Sequence, residues 1–369
     1  MVRCNSNLPI TLGQALTAEF ADIVLASVVQ DLLEALASKV SPSVGAIVVE
    51  KAIGPLVSTL DSSSATAAAA AQTASMDFSA VATSGLDTLS AVLRGAEPAA
   101  LEACGVAEIL LPAVMSVVGS FAGGQDRELV HNGVTVLTLL LVKVPTRVVA
   151  WHSAETGASS IEMFLQLVAR LLDPSDEGEA GGLVLGALIM TLLRKASTEI
   201  SPHLRELLAA MVQRLHTART MSLAQSLLAP LAYLLITERR ETILELLASV
   251  QVQVGGPTAQ GAQDGLQVFV TRWVDEAETV QGAWAKKVNV IALTKFFESG
   301  IPALQHLFVK GDVIPNPSGG ESPSRLVARC VKADRLHGVF SHHYPISREK
   351  DSRPVYPGAA RHQDSQAAS

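Results

Sequence analysis

The chain has 369 residues, a formal net charge of −7, 49% apolar residues and only 4% aromatic ones. That length holds two ordinary domains or one extended array, and a core so poor in rings must be filled by Leu, Val, Ala and Ile between small packed helices. The acidic balance disfavours nucleic acid as a direct ligand, and three widely spaced cysteines (Cys4, Cys104 and Cys330) fit reduced thiols of the cytosol or nucleus better than a disulfide framework.

Read in chain order, no secretory signal is visible at Met1, and the first apolar helical stretch carries Pro55 in the sequence Ile-Gly-Pro-Leu. Asp61 to Ser75 is a Ser/Ala/Thr-rich low-complexity stretch, read as a loop. A helix near Ala80 follows, then a stretch with Pro112 in Leu-Leu-Pro-Ala, then a helix from about Arg127. Proline inside such stretches removes a backbone donor and kinks or restarts a helix, so its recurrence marks a set place in a repeated unit.

From Ile161 to Leu172 the periodicity is plain. Ile161, Phe164, Leu165, Val168, Leu171 and Leu172 lie three and four apart, on one stripe of a helix. After a polar break comes a smaller-residue helix, Ala180 to Lys195, containing the longest apolar run, Leu183 to Leu193. That run falls well short of the roughly 18 residues of a membrane span and reads as a buried helix, so no membrane insertion is expected. The stripe returns at Leu204, Leu207, Leu208, Met211, Val212 and Leu215, leaving Arg205, Glu206, Gln213 and Arg214 for a solvated face. Met221 to Ile236, with Pro230, is the accompanying second helix. Ile243, Leu246, Leu247 and Val250 open another unit, completed by Gly261 to Asp275.

Second helices therefore begin near Ala80, Arg127, Ala180, Met221 and Gly261, a period of about 40 to 50 residues that belongs to HEAT or armadillo units. The expected architecture is all-α, an α-solenoid of about six to seven HEAT-type antiparallel helix pairs over residues 1–314. Residues 315–369 read as a disordered tail. From Glu321 onward eight Lys/Arg face five Asp/Glu, a net of +3, so the preceding residues carry −10.

Motifs that would supply chemistry are absent from this sequence. It contains no phosphate-binding Gly-x-x-x-x-Gly-Lys-Ser/Thr and no Gly-x-Ser-x-Gly elbow, and Gly181, Gly182 and Gly186 lie in a helical stretch with no strand before it, which favours helix packing. His337, His342, His343 and Cys330 lack the paired spacing of a zinc site, and His131, His203, His216 and His306 are scattered over separate units. No enzyme activity, metal or cofactor is expected. The run Asp173, Asp176, Glu177 and Glu179 has two readings: carboxylates that cap the following helix and complement its dipole, or an acidic ridge that binds a basic partner. Trp151, Trp273 and Trp284 likewise read either as packing between units or as binding anchors.

Longer strings carry a resemblance. Trp284 to Lys295 (Trp-Ala-Lys-Lys-Val-Asn-Val-Ile-Ala-Leu-Thr-Lys), then Gly300, Ile301 and Val309 to Asp312, resemble the late repeats of importin-9-like karyopherins of the importin-β superfamily. Val130 to Gly133, Ala150 to His152, Gln166 to Pro174 and Met221 to Leu227 follow the same family pattern in order and spacing, and a weaker likeness reaches Gln30 to Leu32. The resemblance spans about Leu25 to Ile314; the family's amino-terminal Ran-binding repeats have no counterpart, and the likeness ends after Gly320. It implies part of a nuclear transport receptor moving between cytoplasm and nucleus. Implied partners are the Ran GTPase in its GTP form, nuclear pore proteins, and basic cargo such as core histones and ribosomal proteins. A HEAT scaffold that assembles proteins without Ran is the competing reading.

Overall fold

The computed structural model describes residues 23–299 except 40, 70–74, 122–125, 174–178, 180–181, 238, 255–260 and 278, and also two short strands, 308–309 and 329–330. Met1–Cys330 groups as one compact unit, and residues 331–369 lie wholly outside the described residues. The expected end of the fold at residue 314 falls outside them too.

Helices dominate. A leading helix α1 (Ile23–Lys39) is followed by α2 (Pro42–Ala69), α3 (Ser75–Gly95), a short α4 (Pro98–Ala103), α5 (Val106–Phe121), α6 (Arg127–Lys143) and a short α7 (Pro145–Ala150). Then come α8 (Ser160–Leu171), α9 (Gly182–Lys195), a short α10 (Ser197–Ile200) with a 3-10 turn (Ser201–His203), α11 (Leu204–Thr217) and α12 (Met221–Ile236). The last part holds α13 (Arg240–Ser249), an antiparallel ribbon of β1 (Gln251–Val254) and β2 (Gly261–Asp264), α14 (Gly265–Glu276), α15 (Ala283–Glu298), and a pair of two-residue strands, β3 (Phe308–Val309) and β4 (Arg329–Cys330).

The second helices stack in series: α3 packs on α6, α6 on α9, α9 on α12, and α12 on α15, with α1 against α3 at the start. In the row of first helices α2 packs on α5 and α11 on α14, and Arg170 of α8 donates to the Gly119 carbonyl of α5 at 2.8 Å. The described residues thus hold five pairs, α2/α3, α5/α6, α8/α9, α11/α12 and α14/α15, plus α1. This is the solenoid that the periodicity predicts. The stripe residues Phe164, Val168, Leu208, Met211, Val212 and Leu215 are all buried. One long helix, Ser43–Asp61 within α2, is apolar enough by length and composition to cross a membrane; its Val49, Ile53, Leu56 and Leu60 are nonetheless buried in the stack.

Local signals set the helix ends. Ser159 and Glu162 form a reciprocal capping box at α8, and Asp126, Thr220 and Asp264 accept from the first-turn amides of α6, α12 and α14. Between units, cations close helix C-termini across the joint. Lys143 of α6 donates to the Arg94 and Ala96 carbonyls at the end of α3, both at 2.9 Å. Arg272 of α14 does the same for Leu215 and Ala218 at the end of α11, at 3.2 and 2.5 Å. Each cation satisfies carbonyls that have no intrahelical partner and lies at the negative end of a helix dipole.

Three expectations need correction. The stretch 61–75 is helical as far as Ala69, because Ala-rich sequence has high helix propensity. Gly261 to Asp275 is not a second helix: its helical part is α14, a first helix stacked on α11, and the second helix of that unit starts at Ala283. The slip arises because α13 and the ribbon are inserted between units, and the apolar stripe of α13 mimics a first helix. Arg214, assigned to a solvated face, is 2% exposed.

Candidate interaction surface

The turn from α8 into α9 contains the acidic run. Asp173 is exposed directly after α8, whereas Asp176 and Glu177 lie outside the described residues. Glu179 turns inward. Its carboxylate accepts from the backbone amides of Arg219 and Thr220 at 2.8 and 3.0 Å and from the Thr220 hydroxyl, and its Oε1 lies 3.6 Å from Nη2 of Arg214. The side chains of Arg214 and Glu179 are only 3% and 4% exposed. Burial pushes the Glu179 pKa up, but the Arg219 and Thr220 hydrogen bonds and the Arg214 charge outweigh it, so the net shift is downward. Its backbone sits at φ 47, a left-handed conformation unusual for a side-chain-bearing residue, which the surrounding bonds hold in place. Glu179 therefore links the third pair to the N-terminus of α12.

The same joint is close-packed. A Cβ at Gly186 of α9 would collide with the Ser226 carbonyl of α12, and the Gly186 amide lies 2.8 Å from the Ser226 hydroxyl. A Cβ at Gly182 would meet Leu223 at 3.3 Å. The first turn of α9 thus lies beside the first turn of α12. At the next joint Gln225 of α12 donates to the Thr279 hydroxyl, in the turn before α15, at 2.7 Å. The second helices α9, α12 and α15 therefore run side by side with their N-termini along one edge.

Each of these three helices presents a large apolar side chain from its first turn: Leu183 is 65% exposed, Met221 52% and Trp284 57%. The run Leu183 to Leu193, read as a buried helix, is buried at Leu185, Leu188, Ile189, Met190, Leu192 and Leu193, with Leu183 exposed at its start. The two readings of tryptophan divide between residues. Trp273 is core, stacked on Phe269 at 4.9 Å and donating its indole N–H to Asn289 at 2.6 Å. Trp284 is outside, and Trp151 is part-buried. Leu183 and Met221 carry no sequence signal of their own; only their place in the first turns of neighbouring helices singles them out.

Among the described residues no group of three or more His, Cys, Asp or Glu is placed to hold a metal ion. His131, His203 and His216 sit on α6, before α11 and on α11 respectively. Burial, and then the charge of Arg272, hold His216 below the usual imidazole value. Cys104 is a part-buried thiol. His306, His337, His342 and His343 lie outside the described residues.

A protein-family model, importin-11-like TPR repeats, matches residues 99–310. Importin-9 of Drosophila melanogaster is 25% identical over 308 residues, 82% of this chain and 27% of that protein. Importin subunit beta-5 of Saccharomyces cerevisiae is 26% identical over 151 residues, 41% of this chain and 14% of that protein. Importin subunit beta-5 of Schizosaccharomyces pombe is 25% identical over 205 residues, 56% of this chain and 19% of that protein. The chain thus spans about a quarter or less of the length of these relatives.

Proposed function

We infer the function from one premise: the chain belongs to the importin-11-like family of TPR-repeat proteins, which makes it an importin-like karyopherin. The finer reading is that it is part of a nuclear transport receptor, passing between cytoplasm and nucleus. In that reading the chain binds basic cargo such as core histones or ribosomal proteins and acts in a cycle governed by Ran in its GTP form and by nuclear pore proteins. Its work is reversible binding and not catalysis. The observation that supports this best is the overlap of the 99–310 family match with the serial stack α5 to α15, whose acidic turn at Asp173, Asp176, Glu177 and Glu179 carries four carboxylates within seven residues.

Physically, a solenoid joins only neighbouring units, so small adjustments at each joint add up along the stack and let one surface hold and release differently shaped partners. Attraction between an acidic surface and a basic partner speeds encounter and weakens with salt. The acidic ridge in this reading consists of Asp173, Asp176 and Glu177, while Glu179 anchors its far end to α12.

Binding of the 369-residue chain to a core histone pair, measured at low and high salt, tests the reading. Saturable binding that weakens as salt rises is the expected result, and no detectable binding at either salt overturns it. The rival, a scaffold without Ran, is favoured if the chain holds acidic proteins as tightly as the histone pair.

A further inference from the structure

Helix α15 (Ala283–Glu298) turns Val288, Asn289, Ala292, Leu293 and Phe296 into the core. On its opposite face Trp284, Lys287 and Ile291 follow one another at steps of three and four, which puts them on one stripe two turns long, and Lys286 and Val290 form a second row beside it. Trp284 is 57% exposed, Val290 39% and Ile291 37%, and both lysines are exposed with them. Among the described residues Lys286 and Lys287 make no ion pair, whereas Lys295 further along the helix is paired with Glu298 at 2.9 Å. Gly282 caps α15 without a side-chain bond, so the positive end of the helix dipole also lies beside Trp284. In a chain of net charge −7, this face joins uncompensated positive charge to three large apolar side chains. Single exposed apolar residues are ordinary on protein surfaces, whereas a cluster on one helix face, rimmed by charge of one sign, marks a contact site.

Charge selects the sign of the occupant and spacing selects its form. Two unpaired lysines repel a basic partner and attract an acidic one. Trp284 and Ile291 stand seven residues apart, about 10.5 Å along the axis, and a partner helix repeats apolar side chains on one face at the same interval. An extended chain returns to the same face about every 6.6 Å and meets only one of the two. We propose that the outer face of α15 docks an acidic amphipathic helix of a partner protein. Two apolar residues of that helix, seven apart, seat on Trp284 and Ile291, and its Asp or Glu side chains face Lys286 and Lys287. Trp284 is the anchor, because a large exposed ring contributes most area per ordered side chain. A second copy of this chain fits poorly, since α15 laid antiparallel on itself with Trp284 against Ile291 brings the two copies of Lys287 together. The site is opposite in sign to the acidic turn at Asp173, so it goes beyond the basic-cargo reading and does not depend on it.

Fluorescence anisotropy with the full 369-residue chain tests the site. The probe is a fluorescein-labelled peptide of three copies of Leu-Glu-Ala-Leu-Ala-Glu-Ala, whose leucines recur at intervals of seven on one helix face. Three companions carry Lys for Glu, Ser for Leu, or a central Pro that breaks the helix. Saturable binding of the probe is expected, with each companion weaker by about tenfold or more. Trp284→Ala weakens the probe by about tenfold. Lys286→Glu combined with Lys287→Glu reverses the charge preference, so that the Lys companion then binds more tightly than the probe. All the altered side chains are exposed, so thermal melting of the variants should match the parent. The site is overturned if the probe fails to bind, if Trp284→Ala holds it as tightly as the parent does, or if the Pro companion binds equally well. A charge-reversed variant that keeps the parent's preference overturns it too. So does tighter binding of oligo-dT than of the probe, which assigns the lysines to phosphate.

Discussion

The joint between α3 and α6 and the joint between α9 and α12 belong to the same row of stacked second helices, yet they are tied at opposite ends and with opposite electrostatic sign. At the first, Lys143 of α6 holds the C-terminal carbonyls of α3, and Asp87 of α3 sits half-buried near Glu128, His131 and Asn132 of α6. At the second, the buried carboxylate of Glu179 holds the N-terminal amides of α12 and faces Arg214. One joint thus places a carboxylate where its charge is unwelcome, and the other places one where its charge is needed. A stack of similar helices can therefore respond to acid differently at successive joints without any change of architecture.

Glu179→Gln should break this contrast most severely. It removes the carboxylate charge that faces Arg214, whose side chain is 3% exposed, and breaking such a buried pair costs about 3 kcal/mol. Because the folded pKa of Glu179 is lowered, its contribution is fully present above the ordinary carboxylate value of 4.5 and is lost as pH falls through the lowered folded value. The variant should therefore be weakened at pH 7 and should converge on the parent at the acid end of a denaturation series. Equal stability of the two at pH 7 would show that the latch contributes nothing. Gly186→Ala strikes the same joint through packing. Its new methyl meets backbone at Ser226 that cannot rotate away, so about 2 kcal/mol of destabilisation is expected, with faster amide exchange in α9 and α12 than in α3 and α6.

Much of the architecture was legible because a period of 3.6 residues reports a buried face directly. The stripes at Ile161 to Leu172 and Leu204 to Leu215 are read correctly for that reason. What failed is what depends on separation along the chain. Glu179 reaches Arg219 and Thr220 from forty residues away, so its inward turn, and the burial of Arg214 that follows, leave no trace in local pattern. The inserted α13 reads as a first helix because a ten-residue apolar stripe looks the same whether or not a unit follows it. The candidate surface is legible only as an acidic run; Trp273 is core with Asn289 lying across from it to accept its indole proton, whereas Trp284 is exposed, and nothing in the local pattern separates the two.

Lys143→Met sharpens the comparison from the other side. It removes two hydrogen bonds to the end of α3 while keeping the side-chain bulk, for an expected loss of about 1 kcal/mol that is flat between pH 4 and pH 8. A loss that grew or vanished across that range would mean that the tie depends on a neighbouring carboxylate and not on the helix carbonyls.

Asp87→Asn carries the smallest effect and the most diagnostic sign. Burial first, and then Glu128, push the Asp87 carboxyl above its ordinary 3.8, against the opposing influence of Arg94, His131 and the Asn132 hydrogen bond. A raised folded pKa means that the native state holds the proton more tightly than the unfolded chain. Its favourable contribution is therefore complete below the ordinary value and is lost as pH rises through the folded one. At pH 7 the charged Asp87 is a mild liability, screened because about half of it faces solvent, and the isosteric amide should stabilise the protein by no more than a few tenths of a kcal/mol, with the gain fading in acid. Chemical denaturation of Asp87→Asn and Glu179→Gln at both pH values then reads the contrast directly. Opposite signs at neutral pH, converging in acid, support two joints with opposite charge logic, whereas destabilisation by both variants at pH 7 means that Asp87, like Glu179, is held by its partners more strongly than burial and Glu128 oppose it.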